Sequence, residues 1–187
     1  MVHQVYNKFH IYNVAIVFFQ FTLAFGLLVI LLALFGYHFT FVKLTNDTLP
    51  ILITLVSIYI LCWVRKIEKI WVISVTIMVA FILGWFSLTI NSYETIESPN
   101  GNTKVMISHR GITLGETNHF YELYLYTSVP GLVKKVNEET IHIITSGESA
   151  TNLQILGVEN AVWINGEKVI LKSPYAGEIQ VEFKSRD

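Results

Sequence analysis

The sequence predicts a membrane-embedded region of three transmembrane α-helices followed by a small all-β domain, an antiparallel sheet or sandwich. Three observations predict it. Only 14% of the 187 residues are charged while 52% are hydrophobic, whereas ordinary soluble domains carry about 25% charged residues. The apolar excess is concentrated: no Asp, Glu, Lys or Arg occurs between Lys8 and Lys43, between Asp47 and Arg65, or between Lys69 and Glu94. After Glu94 the pattern changes to short runs rich in β-branched and aromatic residues, punctuated by Gly, Pro, Asn and Ser.

A helix crossing a hydrocarbon core of roughly 30 Å needs about 17–25 residues, and each charge-free gap can hold one, at 13–36, 49–64 and 70–90. The first is read as a retained helix and not a cleaved signal peptide. Its apolar run exceeds the roughly 7–15 residues of a signal core, and no small-x-small cleavage site follows Leu34 and Phe35. The second is the shortest, and a buried or re-entrant segment is its alternative. Pro50 stands at its start, where a missing N–H costs nothing, with Asp47 or Thr48 placed to cap.

Basic residues set the orientation. Lys8 precedes the first span, and Arg65, Lys66 and Lys69 crowd the link between the second and third. Positive flanks stay in the cytoplasm, which puts the N-terminus inside and everything after Ile90 outside, in a multi-pass protein of the plasma membrane, bacterial by the resemblance described below. Trp63, Trp71, Trp85 and Tyr93 fall at the span ends, where interfacial aromatics belong. The chain divides into a membrane domain, 1–93, and an extracytoplasmic β-rich domain, 94–187. The part before Asn91 carries five Lys/Arg against two Asp/Glu and the tail eight against twelve, so the tail is acidic and unsuited to nucleic acid.

In the tail, KVMISH, YELYLYT, TIHIIT, LQILGV, AVWIN, EKVIL and EIQVEF read as strands. EIQVEF alternates cleanly, with Ile179, Val181 and Phe183 on one side and Glu178, Gln180 and Glu182 on the other. Asn165-Gly166 between two apolar runs is a strong hairpin signal.

The pairing of SPNG (Ser98–Gly101) with WINGEKVIL (Trp163–Leu171) resembles the SPDG-type β-modules, similar to single β-propeller blades, of small uncharacterised multi-pass membrane proteins of Gram-positive bacteria. The resemblance covers the tail alone. It implies a bacterial plasma membrane protein, transfers no functional residue, and rests mainly on a turn in which Pro99 sets φ and Gly101 permits positive φ.

No pattern in the chain frames catalysis. Cys62 is the only cysteine, so the tail has no disulfide, and it is expected to be a packed or lipid-facing thiol. His109, His119 and His142 lack metal-binding spacing and read as scattered surface residues. Ser108-His109-Arg110 alternates across a strand, and Glu138-Glu139 reads as a solvated turn. No enzyme activity, cofactor or metal is expected. Transport is disfavoured because the spans hold no ionisable residue, only Gln20, Thr22, Thr54, Ser57, Ser74 and Thr76. Ala80-x-x-x-Gly84 offers a small-residue face for helix packing.

In HFYELYLYT, Tyr121, Leu123 and Leu125 share one face and Phe120, Glu122, Tyr124 and Tyr126 the other. With the first set in the core, Phe120, Tyr124 and Tyr126 become the candidate partner-binding face. The function expected is that of an integral membrane protein presenting a non-catalytic β-domain for binding or sensing, in an accessory or immunity-type role. The alternative is a small accessory subunit of a transport or secretion assembly, acting through its helices. The partners expected are the lipid bilayer and a membrane or envelope protein, with self-association left open.

Overall fold

The computed structural model describes residues 2–65, 73–81, 91–137, 139–146 and 150–183. Two compact units emerge: a helical one, Met1–Phe35 with Phe41–Thr89, and a β-rich one, Gly36–Thr40 with Ile90–Asp187.

In the helical unit, α1 (Val2–Leu34) packs against α3 (Leu49–Arg65), and α4 comprises the described residues 73–81. Between α1 and α3 the Thr22 and Ser57 hydroxyls, both buried, meet at 3.0 Å. Each also donates to the carbonyl three residues back on its own helix, Phe19 and Thr54, in the usual arrangement for hydroxyls on an apolar helix face. The short α2 (Thr40–Lys43) is followed by a turn held by the Lys43–Asp47 ion pair at 2.9 Å. Thr48 does not cap α3 with its side chain; its hydroxyl donates to the Thr45 carbonyl at 2.6 Å.

The three-span expectation is corrected here. Among the described residues one helix, Tyr12–Leu34, is long and apolar enough to cross a membrane. The second expected span lies within α3, whose 17 residues rise about 1.5 Å each and reach only about 25 Å, less than a typical hydrocarbon core. Of the third, residues 73–81 are helical, while 70–72 and 82–90 lie outside the described residues. The multi-pass reading therefore gives way to a single membrane-span candidate followed by a β-unit.

The β-unit contains two antiparallel sheets. The larger has the order β1-β5-β4-β3-β2, with β6 also pairing β4, built from β1 (Tyr37–Phe39), β2 (Ser92–Glu97), β3 (Lys104–Leu114), β4 (Glu116–Tyr126), β5 (Leu132–Lys135) and β6 (Ile141–Thr145). The smaller is β7-β8-β9, from β7 (Val162–Ile164), β8 (Lys168–Ser173) and β9 (Gly177–Glu182). Strand β1 comes from the segment just after α1, between the first and second expected spans. Strands β5 and β6 lie end to end along β4, and Asn137 bridges the break: its Oδ1 accepts from Leu123 N at 2.8 Å and its Nδ2 donates to Tyr121 O at 3.3 Å.

The unit is not all-β. LQILGV, expected as a strand, lies largely in a helix, α5 (Asn152–Leu156), followed by a 3₁₀ turn. The cause is local. Thr151 and Gln154 form a reciprocal capping box, and Gly157 ends the helix in the left-handed conformation. The core collects Val105, Ile107, Tyr121 and Leu123 of the large sheet, Ile155 and Leu156 of α5, and Val169, Leu171 and Val181 of the small sheet, with Phe183 just beyond β9. Two sequence expectations hold in detail. Val181 and Phe183 are buried while Glu178, Gln180 and Glu182 are exposed. The Asn165-Gly166 turn has φ of 51° and 72°, the signs of a type I′ turn, within a three-residue loop, since Ile164 pairs with Lys168. Thr103, next to the SPNG turn, donates to the Gly166 carbonyl at 2.8 Å and ties the two turns together.

Candidate functional site

Strand alternation and register divide the large sheet into two faces. One packs into the core described above. The other carries the candidate residues Phe120, Tyr124 and Tyr126 together with Met106, Ser108, Arg110, Glu122, Val133 and His142, because Met106 opposes Tyr124, Ser108 opposes Glu122 and Arg110 opposes Phe120 across β3 and β4.

The three aromatics do not stand in solvent as a row. Tyr124 is 1% exposed and packs with Met106 and Val133; its hydroxyl donates to Glu122 Oε2 at 2.5 Å, and His38 meets its ring edge-on at 5.4 Å. Tyr126 is half-buried with Lys104 above its ring at 5.7 Å. Phe120, also half-buried, is sandwiched between the Arg110 guanidinium at 5.4 Å and the His142 imidazole, stacked at 4.7 Å and 3°. Strand β5 and its neighbour β1 supply the cover over Tyr124, and neither was foreseen as a strand.

Beside this stack lies a small cavity of about 110 Å³ lined by Asn91, Ser108, Arg110, Phe120, Glu122 and Thr140. Its acid is already engaged, since Lys135 Nζ lies 2.7 Å from Glu122 Oε1. Its base has no such partner: Arg110 Nε is buried without a hydrogen-bond acceptor among the described residues. A buried guanidinium nitrogen left unpaired is costly. A larger groove, about 550 Å³, runs between β9 and the β5–β6 break, with Val136, Ile141, Ile179 and Phe183 on its floor and Lys134 and Lys135 among its polar groups. Strand β9 borders it and, among the described residues, pairs on one side only, with β8.

On the core-side face the histidines form a chain. Ser92 Oγ lies 3.2 Å from His109 Nδ1, His109 Nε2 lies 3.0 Å from His119 Nδ1, and His119 Nε2 lies 2.9 Å from Thr145 Oγ1. His119 and Thr145 are buried, so the expectation of scattered surface histidines fails for this pair. His142 does lie on the opposite face, exposed, with its Nε2 2.9 Å from Asn118 Oδ1. Each of the paired rings needs one proton to complete the chain in either direction. Protonating both rings would set two N–H groups against each other across 3.0 Å. Burial first, and then the neighbouring His119, push His109 down to about 4, and burial lowers His119 as well.

A pH prediction follows with a definite sign. Unfolded, these rings take up protons near pH 6.5; folded, His109 resists down to about pH 4. The β-unit should hold this increment of stability above pH 6.5 and lose it as the pH falls toward 4. The loss should be on the order of 1–2 kcal/mol, well under the full shift because His109 is half in solvent. Thermal melts of the full chain in detergent at pH 7.5 and 4.5 should show the drop, and His109→Gln should flatten it.

The remaining candidates are dispersed. Ala80 sits exposed on α4, and Gly84 lies outside the described residues. Cys62 is a half-buried free thiol on α3. Ser108 and Arg110 share a face opposite to His109, as alternation requires. Among the described residues, no group of three or more His, Cys, Asp or Glu converges to hold a metal. Sequence reasoning missed that Arg110 and Glu122 line one cavity, because that depends on the β3–β4 register. Comparison with known proteins gives no match to a family model, to a curated protein or to a solved structure.

Proposed function

We propose that this chain is a membrane-anchored protein that displays its β-unit on the extracytoplasmic side of a bacterial plasma membrane and works there by binding, in an accessory, sensing or immunity-type role. The observation that carries this is the state of α1. Its 23-residue apolar stretch is only 11% buried, whereas the core helix of a soluble protein would be mostly covered. Phe21, Leu27, Ile30 and Leu34 all stand exposed on it, which lipid tolerates and water does not.

The helix leads through Gly36 directly into β1. Strand β1 belongs to the same sheet as β2. Lys8 precedes the apolar stretch Tyr12–Leu34 and favours a cytoplasmic N-terminus, so that with this stretch as the crossing the chain after it lies outside. Binding, in preference to chemistry, is supported by the open groove beside β9, whose free edge and mixed lining suit an extended segment.

The test is a labelling experiment in a Cys62→Ser background. Ser128→Cys, in an exposed turn of the β-unit, should react on intact cells with a membrane-impermeant maleimide, while Gln4→Cys should react only after lysis. The opposite pattern would place the β-unit in the cytoplasm. Recovery of the intact chain in the soluble fraction would remove the anchor.

A reading in which the helices act as an accessory subunit of a larger assembly is supported by a different feature. Helix α3 exposes Leu52, Val56, Tyr59 and Trp63, which would suit a partner helix. Loss of a co-purifying membrane protein on substituting Val56 and Tyr59 would favour it.

A further inference from the structure

We propose that the cavity beside the Arg110–Phe120–His142 stack is a receptor for one small oxyanionic group of the phosphate class, a site that goes beyond the anchoring reading and stands without it. The argument begins with what holds the guanidinium. Lying over the Phe120 ring at 5.4 Å, it makes a cation–π contact that offers no hydrogen-bond acceptor in the ring plane. That leaves its in-plane N–H donors to look for acceptors elsewhere. Phe120 is fixed from its far side by His142 at 4.7 Å, and His142 in turn by Asn118 at 2.9 Å. The arginine is thus positioned by two stacked rings, Phe120 of β4 and His142 of β6, against its own strand β3.

What it faces is donor-rich. Ser108 is 5% exposed, and its hydroxyl takes part in none of the hydrogen bonds among the described residues. Thr140 and Asn91 add a hydroxyl and an amide to the lining. The one acid in the cavity, Glu122, is held by Lys135 at 2.7 Å and by the Tyr124 hydroxyl at 2.5 Å. Local charge is therefore set by Arg110, and no carboxylate bridges it among the described residues. An oxyanion placed there would accept from the guanidinium and from Ser108 at once, satisfying the arginine that the fold leaves unpaired. The volume of about 110 Å³ admits a single compact group and not a chain of them. Two sources share this chemistry, free phosphate and the phosphate of a lipid headgroup.

The experiment uses the full chain in a phosphate-free maltoside detergent at constant ionic strength. Its melting temperature is followed against inorganic phosphate, and separately against a short-chain phosphatidic acid, with chloride as the control for screening. Saturable stabilisation by either probe should appear in the wild type and weaken about tenfold or more in apparent affinity in Arg110→Gln, with Ser108→Ala intermediate. A response to inorganic phosphate identifies a soluble ligand; a response to the phosphatidic acid alone identifies a headgroup. Arg110→Lys, which keeps the charge but not the planar fork, should fold and still bind more weakly than the wild type, and it serves if the Gln variant does not fold. No saturable response to either probe, or a response of equal affinity in the Arg110 variants, would overturn the proposal.

Discussion

Gly157→Ala should abolish the native β-unit or come close to it. Gly157 adopts φ of +80° at the end of α5, and its peptide N–H donates to the Gln154 and Leu153 carbonyls. A methyl group built there would sit 2.1 Å from the carbonyl carbon and oxygen of Lys172 and 2.4 Å from Ser173 N. These are backbone atoms of β8, the central strand of the small sheet, so no side chain can swing aside. Relief requires pulling α5 from the sheet, which uncovers Ile155 and Leu156 from the core. The left-handed backbone costs an alanine roughly 1–2 kcal/mol by itself. With the displacement added, the loss should be on the order of 4 kcal/mol or more, a large share of what a domain this size possesses. Hydrogen exchange at the Val169 and Leu171 amides of the full chain should lose its protection. Gly111→Ala is the control, since its added methyl meets only the His109 ring at 3.6 Å, and it should change stability by under about 1 kcal/mol.

Tyr124→Ser should destabilise the full chain by about 3–5 kcal/mol, the range for removing a buried aromatic ring. At 1% exposed, Tyr124 packs with Met106 and Val133, and its hydroxyl donates to Glu122 Oε2. Removing it opens a cavity and takes one hydrogen-bond donor from Glu122. Tyr126→Ser, at a half-buried position under Lys104, should cost about 1 kcal/mol. The two substitutions look alike in the sequence, where both tyrosines fall on one side of β4. A melt in which they behave alike would restore the exposed recognition face.

Those two tyrosines show why part of the candidate site could not be read in advance. Alternation along β4 correctly separates Tyr121, Leu123 and Leu125 from Phe120, Tyr124 and Tyr126. What it cannot say is what lies above each set. Tyr124 is covered through Val133 of β5 and His38 next to it on β1. The three-residue β1 lies more than 80 positions away in the chain, and neither it nor the four-residue β5 is long enough to show a period. The histidines fail as a prediction for the same reason. His109 and His119 are ten residues apart with no motif between them, and they meet because the β3–β4 turn places residue 109 opposite 121 and residue 111 opposite 119.

Local chemistry was sufficient where the determinant is local. The apolar stretch at Tyr12–Leu34, the period of two in β9 and the Asn165-Gly166 hairpin are each properties of a few adjacent residues, and the sequence by itself determined them. The capping box Thr151–Gln154 was equally local and was overlooked in favour of the β-branched look of LQILGV. Only the tertiary structure decided that the segment after α1 joins a sheet, that Tyr124 is core, and that Arg110 Nε is buried with no hydrogen-bond acceptor among the described residues. The physical reason is common to all three. Each depends on the register with which distant strands hydrogen-bond, a one-residue slip would invert it, and register is a property of the assembled sheet.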